Sequence, residues 1–115
     1  MQPLIPSSAC AADATLTPAG IRVGADEGNP QTAVKEIYTD GITDVGIWEC
    51  TPGGWEVYDR DNTETCIIIS GKGVIIDASG QEQALYPGAV IVLPKHWSGR
   101  WRITETLRKI YIMVE

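Results

Sequence analysis

The stretch from Glu64 to Trp101, ETCIIISGKGVIIDASGQEQALYPGAVIVLPKHWSGRW, leaves the chain few folding options. It is a series of short runs rich in Ile and Val, each cut off by a turn containing Gly or Pro. β-Branched side chains pack well on a pleated surface, whereas Gly and Pro end regular structure. No run is long enough for an amphipathic helix of ordinary length. The same rhythm holds upstream and downstream. Strands are expected at residues 34–40, 43–50, 55–60, 64–70, 74–78, 81–86, 89–93, 98–104 and 108–114. Closely spaced strands without a helix predict an all-β sandwich or barrel.

A chain of 115 residues suits one domain. Its net charge of −6 argues against nucleic acid and anionic membrane surfaces as partners. No apolar run could span a bilayer as a helix. Three cysteines, Cys10, Cys50 and Cys66, cannot all pair, and none forms a CxxC. Reduced thiols and a cytoplasmic location are expected. The opening MQPLIPSSACAADA has small residues but neither a basic start nor a long apolar core, so it is not read as a secretion signal.

Residues 1–33 are rich in Ala, Pro, Ser, Thr and Gly and read as an extended arm, with one short strand near residues 20–23. Leu4, Ile5, Leu16, Ile21 and Val23 would give the arm something to bury; a disordered tail is the alternative. The domain proper is placed at 34–115. The runs 66–69 and 89–93 are apolar at every position. In a lone two-sheet sandwich one face of each strand should meet water, so a cover from the arm or a second copy is expected. A homodimer follows.

Two spaced motifs resemble those of the cupins, which are double-sheet jelly rolls. Glu64 is followed by six residues and Gly71, and Gly88 by five residues and Pro94. GIWECTPGGWEV, YPGAVIVLPKHWSGRW and TLRKIYIMVE are similar to the short cupins related to the (S)-ureidoglycine aminohydrolase cupin domain and the ethanolamine-utilisation cupin. The resemblance runs from about Val45 to Glu115 and implies a cupin-like jelly roll.

It also implies a metal held by three imidazoles and the motif's Glu. Here the first two imidazole positions fall on Tyr58 and Arg60, or on Val57 and Asp59 if the loop is one residue longer. The third falls on Gly99. The single histidine, His96, replaces a motif glycine. No metal or other cofactor is therefore expected, with an oxygen-rich site of Glu64, His96 and Asp59 as the weaker alternative.

Glu64 shares a strand face with Cys66, Ile68 and Ser70, near a barrel mouth if that face is interior. It reads as an acid, base or acceptor with a pKa raised by poor solvation, or as a carboxylate paired with Arg60 or Arg100. His96 reads as an acid–base group or as an exposed loop residue. Tyr58, Arg60 and Glu56 share a face by alternation; turned inward, they would form a polar cluster with Glu64 and bind an anionic group. Trp101, in line with Gly99 and Ile103, narrows a pocket or fills the core. Trp97 is the candidate for a ligand contact at the rim. Lys109 and Tyr111 carry the same inward–outward ambiguity. Cys66 reads as a small buried hydrophobe.

Three functions fit these residues. The first is a cupin that binds a small polar molecule inside the barrel without the three-His centre. The second is a ureidoglycine-aminohydrolase-like, isomerase or lyase enzyme using Glu64 with a weakly held metal. The third is a non-catalytic dimeric interaction domain.

Overall fold

The computed structural model describes residues 10–115. Nine strands run in chain order: β1 (Thr17–Ile21), β2 (Ala25–Gly28), β3 (Gln31–Thr39), β4 (Thr43–Cys50), β5 (Gly53–Val57), β6 (Thr63–Asp77), β7 (Glu82–Leu85), β8 (Val90–Leu93) and β9 (Gly99–Val114). All pairings are antiparallel. One path of neighbours is β1-β3-β4-β9-β5-β2, and β6 links β9 to β7 and β8. This is an all-β jelly roll. Among the described residues no helix is long and apolar enough to cross a membrane.

β9 is the shared seam. Its first half pairs with β5 and the second half of β6; its second half pairs with β4 and the first half of β6. The glycine-bearing segment at 71–73 was expected to be a turn. It is instead a series of register shifts within the continuous strand β6. Gly71 has φ +95, and a Cβ there would lie 2.5 Å from Leu107 Cα. Only a residue without a side chain lets β6 bend this closely over β9. Likewise, residues 105–107, expected as a break between two strands, continue β9.

Residues 17–28, part of the segment read as an arm, form two sheet strands, and the boundary at residue 34 falls inside β3. β1 lies against β3 and β2 against β5, at opposite ends of the six-strand path. Only Arg22, Val23 and Gly24 join them, so this short connection bridges the path's two edges. Leu4 and Ile5 lie outside the described residues. Residues 11–14 reach the body through Arg108, whose Nη1 donates to the carbonyls of Ala11 (3.1 Å) and Ala14 (2.9 Å).

The core lies between the strand layers and includes Ile68, Ile75, Leu85, Ile91, Leu93, Ile103 and Leu107, with Trp55 and Trp101 at one end. Strand alternation sends the other side chains outward. Cross-strand register there builds two rows, Val90–Ile67–Ile110–Ile47 and Val92–Thr65–Ile112–Val45, of which Ile47 is already buried within the chain. These rows are the outer apolar face implied by the unbroken runs. Val90 and Val92 remain 59% and 58% exposed.

Candidate functional site

Register sets the site before any side chain is considered. Directly opposed residues in an antiparallel pair share a face. Trp55 opposes Trp101, Trp48 opposes Lys109, and Tyr111 opposes both Gly46 and Cys66. Glu64 opposes Met113 and Leu93. All these inward positions except Leu93 and the small Gly46 and Cys66 line a cavity of about 340 Å³. Arg22, Arg60, Thr32, Val34, Val57 and Ala19 complete its wall. Gly46 gives Tyr111 its place, since a Cβ there would sit 2.5 Å from the ring's Cζ.

Glu64 is 4% exposed and Lys109 6%. Lys109 Nζ is 2.7 Å from Glu64 Oε2, and Arg60 Nη1 is 3.1 Å from Oε1. Cys66 Sγ donates to Oε2 at 3.1 Å. Each carboxylate oxygen therefore faces a cation. Lys109 Nζ also lies 4.4 Å from the ring centroids of both Trp48 and Trp101, in range of their negative π faces. Trp55 stacks near-parallel with Trp101, at 11° and 6.1 Å between centroids, while Trp48 sits edge-on to both.

These contacts reverse the expected titration of Glu64. Burial alone raises a carboxyl pKa, but the charge and hydrogen bond of Lys109 and the charge of Arg60 outweigh it, so the net direction is down. Burial likewise opposes the charge on Lys109, and Glu64 more than offsets it, raising the amine's pKa. The pair is held ionised. Burial raises Tyr111, with Glu36, Asp44 and Glu64 pushing the same way. The Cys66 thiol is pushed up to about 12, chiefly by burial, so it behaves as a small core residue and not as a nucleophile.

Tyr58 and Arg60 do not share a face. Asp59 has φ 50, in the left-handed region, and this breaks the alternation. Tyr58 is 88% exposed and outside the cavity, while Arg60 turns in. The loop at 94–98 holds that reversal. Asp59 N donates to Ser98 Oγ, Arg60 N to the Trp97 carbonyl, and His96 N to the Arg60 carbonyl. Arg60 is braced further by Asn62, whose Oδ1 accepts from Nη2 at 2.8 Å.

His96 and Trp97 are not among the cavity's lining residues. His96 is exposed, with Nδ1 2.7 Å from Asp59 Oδ1. Trp97 packs against the core, with its ring over Gly99, where a Cβ would be 2.5 Å from Cη2. Glu64, Arg60, Trp101, Lys109 and Tyr111 do converge. Arg100, a possible partner of Glu64, is instead on the outer surface, bonded to Asp26, Glu27 and Glu56.

The donor set does not fit a metal held by three imidazoles and a carboxylate. Among the described residues no group of three or more His, Cys, Asp or Glu could hold an ion, so Glu64, His96 and Asp59 do not form one. Arg60 and Lys109 present cations to Glu64 where that centre would need neutral imidazoles.

Neither Arg22 nor Trp48 stands out in the sequence as a site residue, yet both line the cavity. Trp48 could have been located from its alternation within 43–50. Nothing local marks Arg22, which reaches the cavity only because its loop joins the two edge strands.

A curled antiparallel roll with an inward glutamate near the start of β6 is the architecture of a cupin. The EutQ-like cupin domain model matches residues 39–111, and the chain belongs to that family. Its structure is similar to a DUF861-family protein of unknown function from Pseudomonas syringae, with TM-score 0.80 and 21% identity over 88% of this chain and 45% of that one. It is similar to the EutQ protein of Clostridium difficile, with TM-score 0.65 and 19% identity over 74% of this chain and 68% of that one. A DUF861-family protein from Thermotoga maritima is 32% identical over 56% of this chain and 73% of that one, with TM-score 0.53. This chain thus spans less than half of the Pseudomonas protein. No curated protein sequence matches it.

Proposed function

We propose that this cupin binds a small polar molecule in the barrel cavity without a three-His metal centre. The observation that carries the reading is the pairing of buried Glu64 with Lys109 and Arg60 beside the 340 Å³ space. A volume of this size is at the lower end of small-molecule sites, which combine apolar walls with a few fixed polar groups. The three tryptophans on the wall make occupancy visible as a change in their fluorescence. Titration with a panel of small polar metabolites should give a saturable change that Trp101→Leu reduces. Metal analysis of protein purified without chelator should give far less than one ion per chain. Near-stoichiometric manganese, iron, nickel or zinc would overturn the metal-free reading. An acid–base role for Glu64 is less well supported, because Lys109 and Arg60 stabilise the ionised carboxylate and so make it a weaker base.

A second copy of the chain is the proposed cover for the rows ending at Val90 and Val92. Among the described residues β8 pairs only with β6, so the apolar rows run to an open sheet edge there. The cytoplasm is the proposed location, where the buried thiols of Cys50 and Cys66 would stay reduced.

A further inference from the structure

The charged groups lining the cavity are three cations, Arg22, Arg60 and Lys109, and one carboxylate, Glu64. This is the reverse of the chain as a whole, which carries −6. Arg60 and Lys109 divide the two oxygens of Glu64 between them, which leaves Arg22 without a counter-ion in the wall. The carboxylates nearest in sequence, Asp26 and Glu27, are bonded to Arg100, and Glu27 also to Arg102. Among the described residues the Arg22 guanidinium donates only to the neighbouring Val23 carbonyl.

The guanidinium of Arg22 is placed for contact. Arg22 N donates to the Pro30 carbonyl at 2.9 Å and Ala25 N to the Arg22 carbonyl at 3.1 Å, which fix the backbone of the connection. Its Cζ lies 5.1 Å from the Trp55 ring centroid. Trp55 in turn stacks on Trp101. A planar two-pronged donor and the indoles of Trp48, Trp55 and Trp101 border one space. A carboxylate is the natural partner of the first, because two parallel N–H···O bonds match its geometry. A flat unsaturated body is the natural partner of the second.

We propose that the ligand of this cavity is a small carboxylate with a flat body, its carboxylate bound by Arg22 and its body against the tryptophan wall. This rests on the reading of the cavity as a binding site. It goes further by choosing a charge and a shape. Arg60 and Lys109 add positive potential behind the bound anion, and Glu64 prevents an excess of like charge when the cavity is empty.

The test uses three probes of the same shape: benzoate, benzamide and benzylammonium. Each is titrated by tryptophan fluorescence and calorimetry against the full chain and the Arg22→Gln variant. Benzoate should saturate at least about tenfold more tightly than benzamide, the size expected for hydrogen bonds to a charged group. Arg22→Gln should remove that advantage and leave benzamide within about twofold of its original affinity. An unchanged thermal midpoint in the variant keeps the comparison free of folding effects. Binding of benzamide or benzylammonium as tight as that of benzoate would overturn the anion assignment and leave the cavity reading standing. So would benzoate binding that Arg22→Gln leaves intact. The absence of any saturable response to all three up to about 10 mM would overturn both.

Discussion

Replacing Glu64 with Gln removes one charge and almost no volume, so its effect isolates the ion cluster. Lys109 would remain 6% exposed between two indoles, with Arg60 nearby and no counter-ion. Breaking a buried pair by neutralising one partner costs about 3–5 kcal/mol. The low end applies here, for two reasons. The amide oxygen still accepts one bond from Lys109, and the contacts with Trp48 and Trp101 still favour the cation by about 0.5–2 kcal/mol each. An unfolding entropy of about 2.1 cal/mol/K per residue over 115 residues converts a loss of about 3 kcal/mol into a fall in Tm of about 12 °C. The assay is thermal and urea unfolding near pH 7, followed by circular dichroism. Glu64→Gln combined with Lys109→Met should recover most of the loss, because a methionine fills the lysine's channel without a charge. A single variant within about 2 °C of the parent, or a double variant no better than the single, would refute the account of the cluster.

The pH dependence follows from the same pair. The lowered pKa of Glu64 gives stability that is complete above the unfolded carboxyl value of about 4.3 and is lost as pH falls through the folded value. The raised pKa of Lys109 gives stability that is complete below about pH 10.4 and is lost as pH rises through the folded value. Urea unfolding between about pH 2.5 and 7 should therefore show a shallower acid limb in the Glu64→Gln/Lys109→Met variant than in the parent, and identical limbs would count against the pair. Gly71→Ala should cost about 2–4 kcal/mol, since it adds a collision with β9 to the left-handed backbone penalty. Gly80→Ala, with φ +90 but open space around it, should cost only about 1–2 kcal/mol; equal losses at the two sites would show that close packing at Gly71 is unimportant. Val92→Lys should convert a dimer to a monomer in light scattering. A parent that is already monomeric would remove the proposed second copy.

The strands and their inward faces were legible because alternation is local. Glu64, Cys66 and Ile68 are buried in turn, as are Gly99, Trp101 and Ile103. That the chain has one histidine, too few for three imidazole ligands, was legible from a count. The orientation of Arg60 was not, because a single left-handed residue at Asp59 reverses the parity on which such reasoning depends. The Gly71 bend was misread for a related reason. A glycine that ends a strand and one that lets a strand cross close to another look alike until the second strand is in place.

Local chemistry in the sequence thus determined that this chain forms an all-β roll and that it holds too few histidines for an imidazole set beside Glu64. Tertiary structure decided which charges meet that glutamate. Lys109 is far from it in sequence and reaches it only through the register of β9 against β6, and Arg22 enters the cavity only because a three-residue link joins the sheet path's two edges. Such contacts depend on strand pairing across the whole chain, and no window of neighbouring residues contains that information.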